Sequence, residues 1–188
     1  GAHAGDEATM RATVALARAA GVAVGAHPGF ADRASFGRRE LALTPQEIHA
    51  LVRGQVQALQ AMADVVHVKP HGALYNLAAR DEGVAEAVAG AVHACGGHLI
   101  LVALAGSALK RAGKRAGLQV ACEGFVDRAY GPDGYLVPRT TPGALLDDAE
   151  AALSQALDLV LCGGVQAIDG RWITLQVETL CVHGDGAN

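Results

Sequence analysis

The chain has 188 residues, of which 51% are hydrophobic, 18% charged and only 4% aromatic, and its formal net charge is −4. This length fits one ordinary domain, and the apolar share is sufficient for a sizeable core. A nucleic-acid binder is excluded because it needs a basic face and stacking aromatic rings, and a membrane-spanning protein is excluded because the longest apolar runs fall far short of roughly 20 residues.

Apolar runs alternate with amphipathic stretches along the whole chain. In chain order they predict a helix over residues 6–20, a strand over 22–26, a helix over 44–63, a strand over 65–69, a helix over 81–94, a strand over 99–104, a helix over 107–116, a strand over 118–123, a helix over 141–159, and strands over 172–177 and 179–182. The clearest helix start is Thr44, which can cap the first turn while Pro45 needs no donor and Glu47 reaches back.

Repeated strand–helix–strand units predict parallel strands that are joined by helical crossovers. Uniformly apolar strands are typical of a sheet whose outer face is covered by helices. No linker, charge block or low-complexity segment interrupts the pattern. We therefore predict a single α/β domain over residues 1–188, either a barrel or a doubly wound sheet.

The cysteines point to a reducing compartment. Cys95, Cys122, Cys162 and Cys181 are scattered and form no Cys-x-x-Cys pair. Disulfide frameworks and zinc ribbons space their cysteines differently, so we expect buried free thiols. The first residues show no basic segment followed by an apolar one, and we predict a cytoplasmic protein.

Polar side chains follow the predicted strands at the points where the strands end. His27 follows the first strand, Lys69 and His71 follow the second, His183 follows the last, and His3 precedes the first helix. The C-terminal ends of parallel strands are where loops converge on ligands. The sequence therefore predicts one shared polar site.

This predicted site contains groups for acid–base chemistry, metal ligation and anion binding. The histidines are His3, His27, His71 and His183, the carboxylates are Asp6, Asp32, Glu123, Asp127 and Asp185, and the cations are Lys69, Arg38, Arg39, Arg128 and Arg139. The remaining histidines, which fall within predicted elements or at their edges, are interpreted as structural: His49, His67, His93 and His98. No tight spacing such as His-Glu-x-x-His occurs, so whether a metal is bound stays open.

Six strings carry a resemblance that covers essentially the whole chain. They are HAGD (3–6), GAHPG (25–29), FGRR (36–39), HVKPHGALYN (67–76), EGFVDRAY (123–130) and LCVHGD (180–185). Together they resemble the LamB/YcsF family, the A subunits of prokaryotic-type ATP-dependent 5-oxoprolinases. The resemblance implies a seven-stranded (β/α) TIM-like barrel of the glycoside hydrolase/deacetylase type.

The resemblance also implies an activity. It is the ATP-dependent hydrolytic ring opening of 5-oxoproline to L-glutamate, carried out with B and C partner subunits. ATP is then a co-substrate, expected with Mg²⁺, and no tightly bound cofactor is expected; a homo-oligomer is left open. The matching motifs carry over these positions but not their individual roles. We predict as catalytic His71, His183, Asp185, Lys69 and Asp6, and as substrate-binding His3, His27, Arg38, Arg39, Tyr75, Asn76, Glu123, Asp127 and Arg128.

The sequence departs from the family pattern at its start. The family's opening strand, with an Asn- and Asp-rich motif that ends in Gly-Glu, has no counterpart here, Ala2 stands where Phe is usual, and Glu7 stands where Pro is usual. We therefore expect an incomplete barrel that lacks its N-terminal strand and some acidic groups of the site.

The expected chemistry explains a need for ATP, because an unactivated lactam is a poor electrophile. Phosphorylation of the lactam oxygen would make the ring carbon reactive toward water. The hypothesis is that Lys69 and one arginine neutralise negative charge, while one of His71, His183 or Asp185 activates the water. No Walker-type nucleotide motif is present, so ATP binds either this chain or a partner.

Two other interpretations stay open. One is a metal-dependent amide hydrolase or deacetylase with a His/Asp site at the barrel mouth. The other is a non-catalytic subunit that binds and delivers 5-oxoproline.

Overall fold

The computed structural model describes residues 1–183 and shows an α/β protein. The helices are α1 (Glu7–Ala19), α2 (Pro45–Gln60), α3 (Gly72–Arg80), α4 (Glu82–Cys95), α5 (Ala108–Arg115) and α6 (Ala149–Leu157), which continues into a π-helical turn at Asp158–Cys162. The strands are β1 (Val24–Ala26), β2 (Val65–Val68), β3 (Ile100–Leu104), β4 (Gln119–Phe125), β5 (Gly164–Gln166), β6 (Trp172–Thr174) and β7 (Thr179–Cys181). Within the described residues, no helix is both long and apolar enough to cross a membrane.

The chain divides into two compact units. The first unit comprises residues 1–103 and 108–120, and the second comprises residues 104–107 and, within the described part of the chain, residues 121–183. In the first unit β1 pairs with β2 and β2 pairs with β3, in both cases parallel. The predicted α/β class with parallel strands is confirmed, while the prediction of a single domain stays a prediction.

The first unit contains a core of aliphatic side chains between its strands and helices. Val52 and Val56 of α2, Leu101 of β3 and Val88 of α4 are all fully buried in it. Ala, Val and Leu fill this core because the chain has few aromatic residues, and small side chains allow close approach of helices to strands. The result is a rigid support for the loops that leave β1 and β2.

Helix α2 begins where the sequence predicts. The Thr44 side chain accepts the backbone N–H of Glu47, and the Glu47 carboxylate accepts the backbone N–H of Thr44 at 2.7 Å. Pro45 occupies the first turn, where its missing N–H is not needed. This reciprocal capping satisfies two backbone donors that the helix itself cannot pair.

Helix α3 was not predicted from the sequence. It begins directly after His71, whose side chain makes no capping bond, and its first residue, Gly72, has a φ of +54°. A Cβ atom at Gly72 would lie 2.7 Å from the Gly37 carbonyl oxygen, so only glycine fits. The helix lacks the usual start signals in its sequence. Tertiary packing, which buries Leu74 and Tyr75, stabilises it in their place.

The second unit contains a parallel pair and a hairpin. Strand β4 pairs with β7 so that Glu123 lies opposite Thr179 and Phe125 opposite Cys181. Strands β5 and β6 pair antiparallel, and β5, which follows the π-helical turn directly, was not predicted from the sequence. The last two predicted strands are present but shorter than expected, as β6 and β7.

The predicted helix over 141–159 is wrong in its first half. Helix α6 begins after Asp148, which caps it by accepting the backbone N–H of Ala151. Gly143 has a φ of +77°, which no right-handed helix accommodates. The segment instead pairs with the loop after β4, since Ala129 donates its N–H to the carbonyl oxygen of Ala144.

A buried glutamine ties α6 to the same loop. The Gln155 side-chain amide donates to the carbonyl oxygens of Phe125 (2.7 Å), Arg128 (2.8 Å) and Val126 (3.3 Å). Buried carbonyl groups need such partners because they have lost their water. Gln155 thereby fixes the backbone on both sides of Asp127.

The two Thr-Pro pairs of the chain provide a matched test of local capping. Thr44→Ala should lower the free energy of unfolding by about 1 kcal/mol, because it removes one half of the capping box. Thr141→Ala should change it by only a few tenths of that amount, because Thr141 lies in a turn and caps no helix. Urea unfolding followed by circular dichroism measures both, and equal losses would contradict the assignment of the two segments.

Candidate functional site

Three of the predicted site histidines meet in the first unit. His3 lies just before α1, His27 directly after β1 and His71 three residues after β2. The parallel register of β1 and β2 continues beyond the strand ends, because Lys69 donates its N–H to Ala26 and His71 donates its N–H to Pro28. This continuation brings the loops that carry His27 and His71 side by side.

The three rings, which we call the histidine cluster, are in direct contact. His3 stacks on His71 with ring centroids 3.7 Å apart and an interplanar angle of 5°. The His27 ring stands nearly perpendicular to both, with centroids at 5.6 Å from His3 and 4.8 Å from His71. Nε2 of His27 lies 3.0 Å from Nδ1 of His71.

Glycines make this close packing possible. A Cβ atom at Gly29 would lie 2.8 Å from Nδ1 of His3, and one at Gly37 would lie 2.8 Å from Cβ of His3. Real Cβ atoms do not approach other heavy atoms this closely, so a side chain at either position would displace the ring. The Gly residues near the site in the sequence therefore make room for His3.

Phe36 is a residue of the site that sequence reasoning did not assign. Its carbonyl oxygen accepts Nε2–H of His71 at 2.8 Å, and its ring lies edge-on to both His3 and His71. Phe36 has a φ of +55°, which is uncommon for a side chain of this size. The only sequence signal was its place beside Gly37 in a string that resembles a family motif.

Desolvation keeps two rings of the cluster neutral. Burial of His3, together with the charge of His71, lowers its pKa to about 3. His27 is exposed overall, yet its ring packs against His3 and His71, and this loss of water, followed by the charge of His71, lowers its pKa to about 4. Both rings therefore offer an unprotonated nitrogen at pH 7.

The predicted cations of the first unit differ in the groups that they contact. Lys69 accepts Nδ1–H of His27 with its carbonyl oxygen, and its Nζ lies 5.9 Å from the Tyr75 ring centroid. The Arg38 guanidinium lies 5.3 Å from the Phe36 ring centroid. Nε of Arg39 lies 3.0 Å from a carboxylate oxygen of the buried Asp32.

Two further predicted residues of this unit have positions that inform their roles. Asp6 is exposed and caps α1 by accepting the backbone N–H of Thr9 at 2.8 Å. Asn76 is half-buried on α3, one residue after the buried Tyr75. The contact that the structure gives Asp6 is a helix cap, and its catalytic role stays a prediction.

Asp127 and His183 form the central pair of the second unit. Each lies two residues beyond the end of its strand, and the register of β4 and β7 places Phe125 opposite Cys181. Nδ1 of His183 lies 2.8 Å from Oδ2 of Asp127, and the same oxygen accepts the backbone N–H of His183 at 2.8 Å. The Phe125 ring stacks against His183 with centroids 5.6 Å apart.

The pair has the electrostatics of an ionised couple. The hydrogen bond that His183 donates to Asp127, supported by Cys181, raises the pKa of His183 to about 9. Burial pushes the pKa of Asp127 upward, but the hydrogen bonds from His183 outweigh this effect and hold it below its usual value. At pH 7 His183 is protonated, in contrast to His3 and His27 of the first unit.

Two other predicted residues of this unit are buried. Glu123 is buried on β4, and Arg128 is buried while its Nη2 donates to the Val137 carbonyl oxygen at 2.7 Å. Tyr130, which belongs to a motif but was not assigned, accepts the backbone N–H of Phe125 with its hydroxyl at 2.7 Å, and burial raises its pKa. Asp185 lies outside the described residues.

Replacement of Asp127 by asparagine should lower the pKa of His183 from about 9 toward 6.5. Because folding raises the pKa of His183, the pair contributes its full stabilisation below pH 6.5 and loses it as the pH rises through 9. The stability difference between the wild type and Asp127→Asn should therefore be larger at pH 6 than at pH 9.5. NMR titration and urea unfolding measure these quantities, and a pH-independent difference would contradict the pairing.

Comparisons with known proteins agree with the motifs. The sequence profile of the LamB/YcsF family matches residues 1–188. The A subunit of a 5-oxoprolinase from Methylococcus capsulatus is 54% identical over 99% of this chain and 74% of its own length. The crystal structure of a lactam utilization protein from Thermus thermophilus superposes with a TM-score of 0.89 at 46% identity, and the match covers 97% of this chain and 76% of that one. The predicted family is confirmed, and the chain belongs to the LamB/YcsF family.

Proposed function

We propose that this chain is the A subunit of a 5-oxoprolinase and takes part in the hydrolytic opening of 5-oxoproline to L-glutamate. The observation that carries the proposal is the 54% identity, over 99% of the chain, to the A subunit of the Methylococcus 5-oxoprolinase. The similarity to a lactam utilization protein supports the same substrate class, since 5-oxoproline is a lactam. The chain is thus a hydrolase subunit that acts on a cyclic amide.

The proposal includes the finer points of the fold. Parallel strands followed by helices, as in β1–α2, β2–α3 and β3–α5, are the repeating unit of a (β/α) barrel. We propose that these units are part of a seven-stranded (β/α) TIM-like barrel of the glycoside hydrolase/deacetylase type. The similarity to the Thermus protein supports an α/β fold of this kind.

ATP is proposed as the co-substrate, with Mg²⁺, because the lactam carbonyl needs activation. The lactam oxygen attacks the γ-phosphorus and ADP leaves, which forms an O-phosphorylated imidate. Water adds to its carbon, and the C–N bond breaks as the ring nitrogen takes a proton. A second water then attacks the carbonyl carbon of the acyl phosphate that remains, the C–O bond to phosphate breaks, and glutamate is released together with phosphate that carries the former lactam oxygen.

The protonation states of the residues suggest their roles. His183 is protonated at neutral pH through its bond to Asp127, so it is suited to donate the proton to the departing ring nitrogen. Lys69 and an arginine of the set Arg38, Arg39 and Arg128 neutralise carboxylate or phosphate charge. His71 or Asp185 takes the proton of the attacking water.

We further propose that the B and C subunits are the partners of this chain and that the complex works in the cytoplasm. The Methylococcus relative is named as one subunit of its enzyme, which implies that further subunits exist. ATP then binds either to this chain or to one of these partners.

The activity itself is tested by glutamate release. The purified protein, combined with its candidate B and C subunits, should release glutamate from 5-oxoproline only when ATP is present. ¹⁸O in the lactam oxygen should appear in the released phosphate, because that oxygen becomes bonded to phosphorus. Glutamate release without ATP would contradict the mechanism and favour a metal-dependent amide hydrolase. Full activity of His71→Ala would instead favour a subunit that only delivers substrate.

In this proposal Asp127 positions His183. Its replacement by asparagine tests that role separately from an effect on folding. Asp127→Asn should reduce kcat by about 10²- to 10⁴-fold and move the alkaline limb of the pH profile from about 9 to lower pH, because His183 loses its acidic partner. The matched control is Asp169→Asn, at an exposed Asp of the β5–β6 turn that pairs with Arg171. An unchanged pH profile in Asp127→Asn would contradict the role of His183 as the acid.

A further inference from the structure

Backbone carbonyl groups determine which nitrogen of two cluster histidines carries hydrogen. Nδ1 of His27 lies 2.7 Å from the carbonyl oxygen of Lys69, and Nε2 of His71 lies 2.8 Å from the carbonyl oxygen of Phe36. A carbonyl oxygen only accepts, so each of these nitrogens must donate a hydrogen. In the neutral rings, the lone pairs are then on Nε2 of His27 and Nδ1 of His71.

These two lone-pair nitrogens face each other. They are 3.0 Å apart, and neither has a hydrogen to donate to the other when both rings are neutral. Two lone pairs at this distance repel, so a positive centre, either a proton carried by His71 or a metal ion, must lie between them. Metal-bound histidines have this same arrangement, in which the other ring nitrogen donates to a carbonyl group and so fixes the ring.

The separation is close to that required for two ligands of one metal ion. Zn–N bonds of about 2.05 Å at the tetrahedral angle place two nitrogens about 3.3 Å apart. The observed 3.0 Å is therefore within a few tenths of an ångström of that value. Small movements of the two side chains suffice to admit an ion.

His3 provides the second, independent observation. Its relative exposure is only 6%. Its Nδ1 is buried without any hydrogen-bond partner among the described residues. An unpaired buried polar atom is costly, and native structures retain few of them. Ligand atoms of His3, His27 and His71 all lie within 4.8 Å of one another.

The cluster is also accessible and chemically uniform. His3 and His27 line an open cleft of about 490 Å³, which gives an ion a path from solvent. Among the described residues, the ligand group contains three imidazoles and no carboxylate or thiolate. Imidazole nitrogens suit Zn²⁺, Co²⁺, Ni²⁺ and Cu²⁺, whereas Mg²⁺ prefers oxygen ligands.

We propose that His27 Nε2, His71 Nδ1 and His3 Nδ1 bind one divalent transition-metal ion of the Zn²⁺ class. Because His3 lies flat on His71, its ring turns about the Cβ–Cγ bond when the ion binds. The site does not depend on the proposed reaction; if the reaction occurs, metal binding occupies His71 and leaves Asp185 as the base for water.

The test uses Co²⁺ as a visible probe. The purified protein is stripped with a chelator, dialysed into metal-free buffer and titrated with Co²⁺. One ion per chain should bind and produce the visible absorption of nitrogen-ligated Co²⁺, without the near-ultraviolet bands of thiolate ligation. Zn²⁺ should displace it, a large excess of Mg²⁺ should not, and Zn²⁺ should raise the Tm.

Three His→Gln variants distinguish metal binding at the histidine cluster from metal binding elsewhere on the protein surface. His27→Gln and His71→Gln should each weaken Co²⁺ binding at least about tenfold. The matched control His93→Gln, at an exposed histidine of α4, should bind as the wild type does. Circular dichroism and the Tm of the metal-free proteins show whether each variant is folded.

Several results would overturn the proposal. Binding that survives both His27→Gln and His71→Gln in folded protein would show an adventitious ion only. Loss of binding in His93→Gln would place the metal elsewhere. Absence of Co²⁺ binding by the wild type, with one proton shared between His27 and His71 in NMR spectra, would show that the pair is held by a hydrogen bond instead.

Discussion

The two polar groups of this protein depend on the register of neighbouring parallel strands beyond their last residues. After β1 and β2, His71 donates its backbone N–H to Pro28, and the loops that carry His27 and His71 are joined. After β4 and β7, Val126 donates its N–H to Cys181, and Asp127 then meets His183. Parallel strands direct their chain ends to the same edge, so side chains distant in sequence meet there without any local motif.

Close packing converts that register into a specific geometry. The rings of His3 and His71 stack at 3.7 Å, and this is possible only because Gly29 and Gly37 have no side chain. In the second unit Gln155 performs a comparable function through hydrogen bonds, since it holds the carbonyl groups of the loop that carries Asp127. The first device packs two imidazole rings against each other, and the second fixes the backbone on both sides of Asp127.

The same residue type has opposite electrostatic states in the two units. His3 and His27 lose water and lie beside another histidine, so their pKa values fall to about 3 and 4. His183 lies beside a carboxylate that stabilises its charged form, so its pKa rises to about 9. The first unit therefore presents neutral imidazole rings, and the second presents a charged imidazolium. Different environments thus shift the pKa values of one residue type in opposite directions, which allows one protein to use histidines for different roles.

Local sequence determined the elements whose signals are contained within a few residues. Thr44, Pro45 and Glu47 fix the start of α2 because a capping box needs only neighbouring groups. The Thr141-Pro142 pair looked equivalent, but Gly143 with its positive φ and the pairing to the loop after β4 exclude a helix there. Helix α3 has no capping signal in the sequence. It is stabilised instead by the packing of Leu74 and Tyr75.

For the site, the sequence by itself determined the residue types and their place at strand ends, together with the family. It predicted His3, His27, His71 and His183 as one shared set. Only the tertiary structure decided that the first three form a cluster and that His183 pairs with Asp127. The reason is physical: strand ends are encoded locally by apolar runs, whereas the neighbours, the desolvation and the hydrogen-bond partners of each ring arise from residues tens of positions away.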